Sequence, residues 1–191
     1  MADPTFVLIG GGVRSGKSAF ALERARGFGE RLVFVATAEA LDDEMRERVR
    51  RHRAERGGAF RTEECPRELV PCLRALNGAE AGEGGVDAVV IDCLTLWISN
   101  LMVDGLSESQ IDARVVELAE TLRRAPFHSV VVSNEVGLGI VPENAMARTF
   151  RDITGRAHQV LGRAAHELYF GVMGQLLRIK PAPVELAGPV R

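Results

Sequence analysis

The sequence predicts an α/β fold, a mostly parallel sheet with helices on both faces. Two observations predict it. Apolar runs of strand length alternate with amphipathic stretches of helix length, and a glycine-rich loop joins the first apolar run to the first helix. At 191 residues the chain is long enough for one domain with a substantial core. Residues 1–180 are expected to form that domain and residues 181–191, rich in Pro and Ala, to trail as a loose tail.

Phe6-Val7-Leu8-Ile9 is wholly apolar and reads as a buried strand, followed by a helix over 18–26. A second strand spans 32–36 and ends at Thr37, and a charged helix follows over 43–56. Residues 77–85, rich in Gly, Ala and Glu, read as a flexible loop. A third strand over 86–91 ends in Asp92; helices follow over 94–102 and 108–124. The fourth strand, 129–132, runs into Ser133-Asn134-Glu135-Val136-Gly137. Residues 145–165 read as mostly helical, with an interruption expected at Gly155, and 168–172 with 176–179 as a hairpin around Met173-Gly174.

The loop after the first strand is Gly11-Gly12-Val13-Arg14-Ser15-Gly16-Lys17-Ser18, the phosphate-binding pattern G-x-x-x-x-G-K-S. Its glycines let the backbone wrap closely around a phosphate. The loop amides and the helix N-terminus aim partial positive charge at it. Lys17 is expected to reach the outer phosphates and Ser18 to hold Mg2+. The fold expected is therefore a P-loop NTPase, RecA-like, with a mostly parallel sheet, helices on both faces and a C-terminal hairpin. In such sheets the ligand lies beyond the carboxyl ends of the strands. That rule selects the loop, Thr37, Asp92 and Asn134-Glu135. Asp92 closes an apolar strand where a carboxylate orients magnesium; the plainer reading is a turn cap. Glu135 is read as a base, a substrate contact or a structural hydrogen-bonder, and the three stay open.

Composition narrows the class. Hydrophobic residues make up 46% and the formal charge is -2, so neither nucleic acid nor an anionic membrane is an expected partner. No apolar run is long enough to span a bilayer. Cys65, Cys72 and Cys93 lack a metal or redox spacing, which fits reduced thiols and a cytoplasmic protein.

Across 41–56, Leu41, Met45, Val49 and His52 follow helical spacing and share one face, so His52 is expected to point inward. Such a histidine is ordinarily a packed residue. Arg50, Arg51, Arg53 and Arg56 attract phosphate and disfavour protonation of the imidazole, and a neutral imidazole is a competent nucleophile at phosphorus.

These residues carry a resemblance. The chain resembles the bifunctional adenosylcobinamide kinase and adenosylcobinamide-phosphate guanylyltransferase family of cobalamin biosynthesis over residues 6–180. Its marks are the phosphate loop, Ala36-Thr37-Ala38, Leu41-Asp42-Asp43-Glu44-Met45, His52-Arg53 and Arg61-Thr62-Glu63-Glu64-Cys65. Further marks are Asp92-Cys93-Leu94-Thr95-Leu96-Trp97 and Arg148-Thr149-Phe150-Arg151-Asp152-Ile153-Thr154-Gly155-Arg156. Most distinctive is Ser133-Asn134-Glu135-Val136-Gly137-Leu138-Gly139-Ile140-Val141-Pro142-Glu143-Asn144.

The resemblance implies two reactions. ATP or GTP phosphorylates adenosylcobinamide, and GTP then transfers GMP to the product through a guanylyl-histidine, giving adenosylcobinamide-GDP and pyrophosphate. The resemblance puts that histidine at His52. It also implies nucleotide contacts by Ala36, Thr37, Ala38, Arg53, Ala54, Glu55, Arg56, Glu64 and Asp92, and a homotrimer. His128, His158 and His166 match no family motif and are read as structural. The alternatives are a monofunctional small-molecule kinase, which would give His52 no covalent role, and a RecA-like ATPase module.

Overall fold

The computed structural model describes residues 3–39, 57–78 and 85–189. The expected helix over 43–56, and with it His52, Arg53, Ala54, Glu55 and Arg56, lies outside the described residues. So does most of the expected loop over 77–85.

Eight strands form one sheet: β1 (Phe6–Gly11), β2 (Leu32–Ala36), β3 (Phe60–Glu64), β4 (Ala88–Asp92), β5 (His128–Val132), β6 (Glu167–Val172), β7 (Gln175–Lys180) and β8 (Glu185–Pro189). Their spatial order is β3-β2-β4-β5-β1-β6-β7-β8. The first six in that order are mutually parallel; β7 pairs antiparallel with β6, and β8 antiparallel with β7. The helices are α1 (Lys17–Arg26), α2 (Leu69–Gly78), α3 (Leu94–Val103), α4 (Glu108–Arg124) and α5 (Ala145–Ala164).

The strands are apolar on both faces because both faces are covered. Phe6, Leu8, Val33, Val35, Val89 and Ile91 pack with Leu73 of α2, Trp97 of α3, Leu118 of α4 and Ile153 of α5. Val7, Ile9, Phe34, Val90 and Val132 face the other way, onto Ala21, Leu22 and Ala25 of α1. Period-two alternation along each strand thus feeds two cores. Trp97 is fully buried, and its indole N–H donates to the Arg67 carbonyl at 2.7 Å.

Helix ends are set by local chemistry. Ser107 and Gln110 form a capping box at the start of α4. The Asn144 side chain accepts from Met146 N at 2.8 Å and Ala147 N at 3.3 Å, opening α5. The Arg156 guanidinium then ties α5 to α4 through Asp112 and Glu108, each at 2.9 Å.

Three expectations change. α5 runs unbroken through Gly155. The tail, expected loose, contributes β8, paired to β7. The segment between the expected second helix and third strand holds β3 and α2, which the sequence reading left unassigned. The hairpin is as expected: Met173 and Gly174 both take positive φ, 49° and 75°, the backbone a tight two-residue turn requires.

Candidate active site

The candidate site lies beyond the carboxyl ends of β1, β2, β4 and β5. The loop leaves β1 at Gly11, whose φ is 142°. A Cβ on Gly11 would run into the backbone of Gly171 on β6, so glycine here lets two strands approach closely. Gly16, at φ 86°, makes the left-handed step into α1. No side chain caps α1 and no acidic residue lies in its first turn; the carboxylate at this end of the helix is that of Asp92, on Ser18.

Lys17 is buried, 5% exposed, and its ammonium donates to the Gly12 carbonyl at 2.5 Å and to Ser15 Oγ at 3.4 Å. The lysine therefore curls across the loop it belongs to. Ser18 Oγ donates to Asp92 Oδ2 at 2.7 Å, joining α1 to the end of β4. The sequence paired these two only by motif; the fold brings them into contact across 74 residues.

Ala36, Glu64 and Asp92 lie in one register row across β3, β2 and β4. With strands about 4.8 Å apart, Glu64 sits on the order of 10 Å from Asp92 along that row. The Glu64 side chain is exposed. Thr37 is wholly buried, and its hydroxyl donates to the Cys93 carbonyl at 2.8 Å and accepts from Cys93 N at 2.7 Å. Its carbonyl accepts from Asn100 Nδ2 at 2.9 Å. Thr37 thereby clamps the turn that follows Asp92, where the Asp92–Cys93 peptide is cis. Ala38 continues the same segment, and Glu39 pairs with Arg67, which also holds Asp104 at 2.6 Å. Burial pushes the Cys93 thiol up to about 11, so it stays protonated.

Glu135, selected from the sequence, sits after β5 with a partner the sequence did not assign to it, His158. Glu135 N donates to the Gly11 carbonyl at 2.9 Å, placing Glu135 beside the first loop glycine. One of its carboxylate oxygens accepts from Gly137 N. The other lies 3.6 Å from His158 Nδ1, and His158 Nε2 is 2.7 Å from Ser133 Oγ. Burial, partly offset by Glu135, holds the His158 pKa below the ordinary histidine value. His158 was read as structural because no motif contains it. The only sequence signal was that Ser133 and Glu135, two apart in an extended segment, share a face.

Among the described residues no group of three or more His, Cys, Asp or Glu side chains converges as a metal cage. Ser18 and Asp92 offer a hydroxyl and a carboxylate, the hard oxygen donors that suit magnesium held jointly with phosphate. No helix among the described residues is long and apolar enough to cross a membrane.

A strand, phosphate loop and helix, with a strand-terminal carboxylate on the loop serine, define a P-loop NTPase of RecA-like architecture. The fold is similar to that of the RadB recombinase, at 14% identity and a TM-score of 0.52 over 93% of this chain and 80% of that one. It is also similar to the flagellar accessory protein FlaH of Methanocaldococcus jannaschii, at 14% identity and a TM-score of 0.50 over 99% and 80%. The chain belongs to the cobinamide kinase / cobinamide phosphate guanyltransferase (CobU) family, whose model matches residues 7–179. It is 37% identical over 186 residues to the bifunctional adenosylcobalamin biosynthesis protein CobU of Salmonella typhimurium, covering 91% of this chain and 99% of that protein. It is 37% identical to CobU of Escherichia coli, over 91% and 99%, and 38% identical to CobP of Pseudomonas aeruginosa, over 93% and 98%.

Proposed function

We propose that this chain carries both activities of its family. It phosphorylates the aminopropanol hydroxyl of adenosylcobinamide with ATP or GTP, then transfers GMP from GTP to that phosphate. The observation that carries the reading is the Ser18–Asp92 contact beside Lys17, an assembled phosphate and metal corner in a chain of this family.

In the first step the acceptor hydroxyl oxygen bonds to the terminal phosphorus, the bridging P–O bond breaks, and a nucleoside diphosphate leaves. Lys17 and the amides of residues 11–18 stabilise the negative charge on the transferring group. Ser18 and Asp92 would hold Mg2+, which neutralises charge on the outer phosphates when bound. In the second step His52 attacks the α phosphorus and pyrophosphate leaves; the corrinoid phosphate then displaces the histidine. Ala36, Thr37, Ala38, Arg53, Ala54, Glu55, Arg56 and Glu64 are assigned to GTP. For Thr37 the assignment acts through the segment it fixes, because its hydroxyl is engaged by Cys93.

Exposed apolar side chains follow the ends of three neighbouring strands: Val13 (73% exposed) after β1, Ile140 (96%) after β5 and Met173 (95%) after β6. This rim suits the apolar flank of a corrinoid much larger than the nucleotide. A cytoplasmic homotrimer without nucleic-acid partners completes the reading.

GTP radiolabelled at its α phosphate tests it. Labelled protein, stable to base, labile to acid and absent from His52→Asn, is the expected result. Unlabelled wild-type protein that still binds nucleotide would reduce the chain to a monofunctional kinase. Lys17→Ala is expected to lower phosphoryl transfer by roughly 10²–10³ in kcat.

A further inference from the structure

Ser133, His158 and Glu135 are arranged as hydroxyl, imidazole and carboxylate, with Nε2 toward the hydroxyl at 2.7 Å and Nδ1 toward the carboxylate at 3.6 Å. A nucleophilic serine is excluded because Ser133 is 0% exposed and no substrate can reach its oxygen. What reaches the site is the other end of the chain. The Glu135 amide donates to the Gly11 carbonyl, so this residue is anchored at the start of the phosphate loop, and β5 lies between β4, which ends in Asp92, and β1, which opens that loop.

One hydrogen bond, from Ser133, and the carboxylate 3.6 Å from Nδ1 together favour one tautomer of the imidazole. A carboxylate only accepts, so Nδ1 carries the proton toward Glu135, and Nε2 then accepts from the Ser133 hydroxyl. Burial favours this neutral form. The hydrogen bonds described for the nearby arginines go to backbone carbonyls: Arg151 Nη2 donates to the Gly137 carbonyl at 2.6 Å, and Arg148 Nη1 to the carbonyls of Pro142 at 2.9 Å and Glu143 at 2.5 Å. Capping the Gly137 amide needs only one neutral acceptor. A half-buried carboxylate with its own histidine and serine support exceeds that need, because holding a charge there costs desolvation.

We propose that Glu135 is the general base of phosphoryl transfer, with His158 and Ser133 positioning its carboxylate. As the acceptor oxygen bonds to the terminal phosphorus and the nucleoside diphosphate departs, the hydroxyl proton passes to Glu135, which later releases it to water. The inference rests on the kinase reading above.

The test is the kinase rate of three variants, with guanylyl labelling of the same preparations in parallel. Glu135→Gln keeps an acceptor for Gly137 N, and its amide can donate to Nδ1 of the other His158 tautomer, so the turn survives. Its kcat should fall about 10²–10⁴-fold with nucleotide KM little changed. Gly137→Ala places a Cβ 2.8 Å from Glu135 Oε1, the free end of a flexible side chain. It should move the carboxylate and lower kcat while leaving the fold intact. His158→Gln should lower kcat about tenfold, again with KM retained. Guanylyl labelling should persist in all three, since that displacement involves no acceptor hydroxyl. A Glu135→Gln kcat within about threefold of wild type would overturn the proposal, as would a parallel loss of labelling in all three variants. A wild-type protein that binds nucleotide but never phosphorylates adenosylcobinamide would sink the kinase reading itself, and the inference with it.

Discussion

Thr37 illustrates how a residue can matter to a site without presenting its side chain to it. Its hydroxyl closes a two-way bond with the Cys93 backbone, and its carbonyl is held by Asn100, which also donates to the Pro66 carbonyl at 2.9 Å. One buried side chain thus registers the ends of β2 and β4 against α3. Thr37→Val removes both partners of the Cys93 peptide groups and should cost roughly 1–3 kcal/mol, read as a lowered denaturation midpoint. Thr37→Ser, which keeps the hydroxyl, should recover most of that. Lys17 is the opposite case, since its motif position already stated its role. The structure adds that it is buried and bonded to Gly12 and Ser15.

At the level of elements, legibility followed hydrophobic content. β1, β2, β4 and β5 are apolar on both faces and stood out as runs. β3 reads Phe-Arg-Thr-Glu-Glu, with only Phe60 buried, because it is the sheet's edge and has no apolar run to announce it. α2 carries Pro71 in its first turn, where proline is tolerated, and this masks a helix that Leu69, Val70, Leu73 and Leu76 bury. The phosphate loop and Asp92 were legible because their spacing is local. The Glu135–His158 contact was not, because it joins β5 to α5 through tertiary packing alone. β6 has a role that the strand pattern did not suggest: it backs the phosphate loop. A Cβ at Gly171 would lie 2.9 Å from Ser15 Oγ and 3.3 Å from Ser15 Cβ. Gly171→Ala should therefore weaken nucleotide binding, by calorimetry, while circular dichroism stays native.

For the molecule as a whole, two histidines couple stability to pH. Burial, then the Arg24 charge, lowers the pKa of His128, against the pull of Asp87 and Glu167; burial lowers that of His158 against Glu135. His128 accepts from Thr5 N at 3.0 Å and stacks on Phe28 at 3.9 Å, so it is held neutral. Between the depressed folded values and the ordinary value of 6.5, the unfolded chain binds more protons. The stability these groups contribute is full above 6.5 and declines as pH falls through the window beneath it. Thermal midpoints should drop across that window, and less steeply in His158→Gln. At the far edge, β8 covers β7. Deleting residues 184–191 should leave nucleotide binding intact but expose the unpaired backbone of β7, and sedimentation should show increased self-association.

The close backing of the phosphate loop by β6 also makes the hairpin a natural place to attach an optical reporter. Met173 stands almost fully in solvent, two residues beyond the glycine that touches Ser15. Burial holds the Cys72 and Cys93 thiols up at about 12 and about 11, so they react slowly with alkylating dyes. With Cys65 and Cys72 both replaced by serine, an environment-sensitive fluorophore on Met173→Cys would label one position. Its emission should change when nucleotide fills the loop, turning a silent strand contact into a real-time binding signal that needs no radioactive substrate.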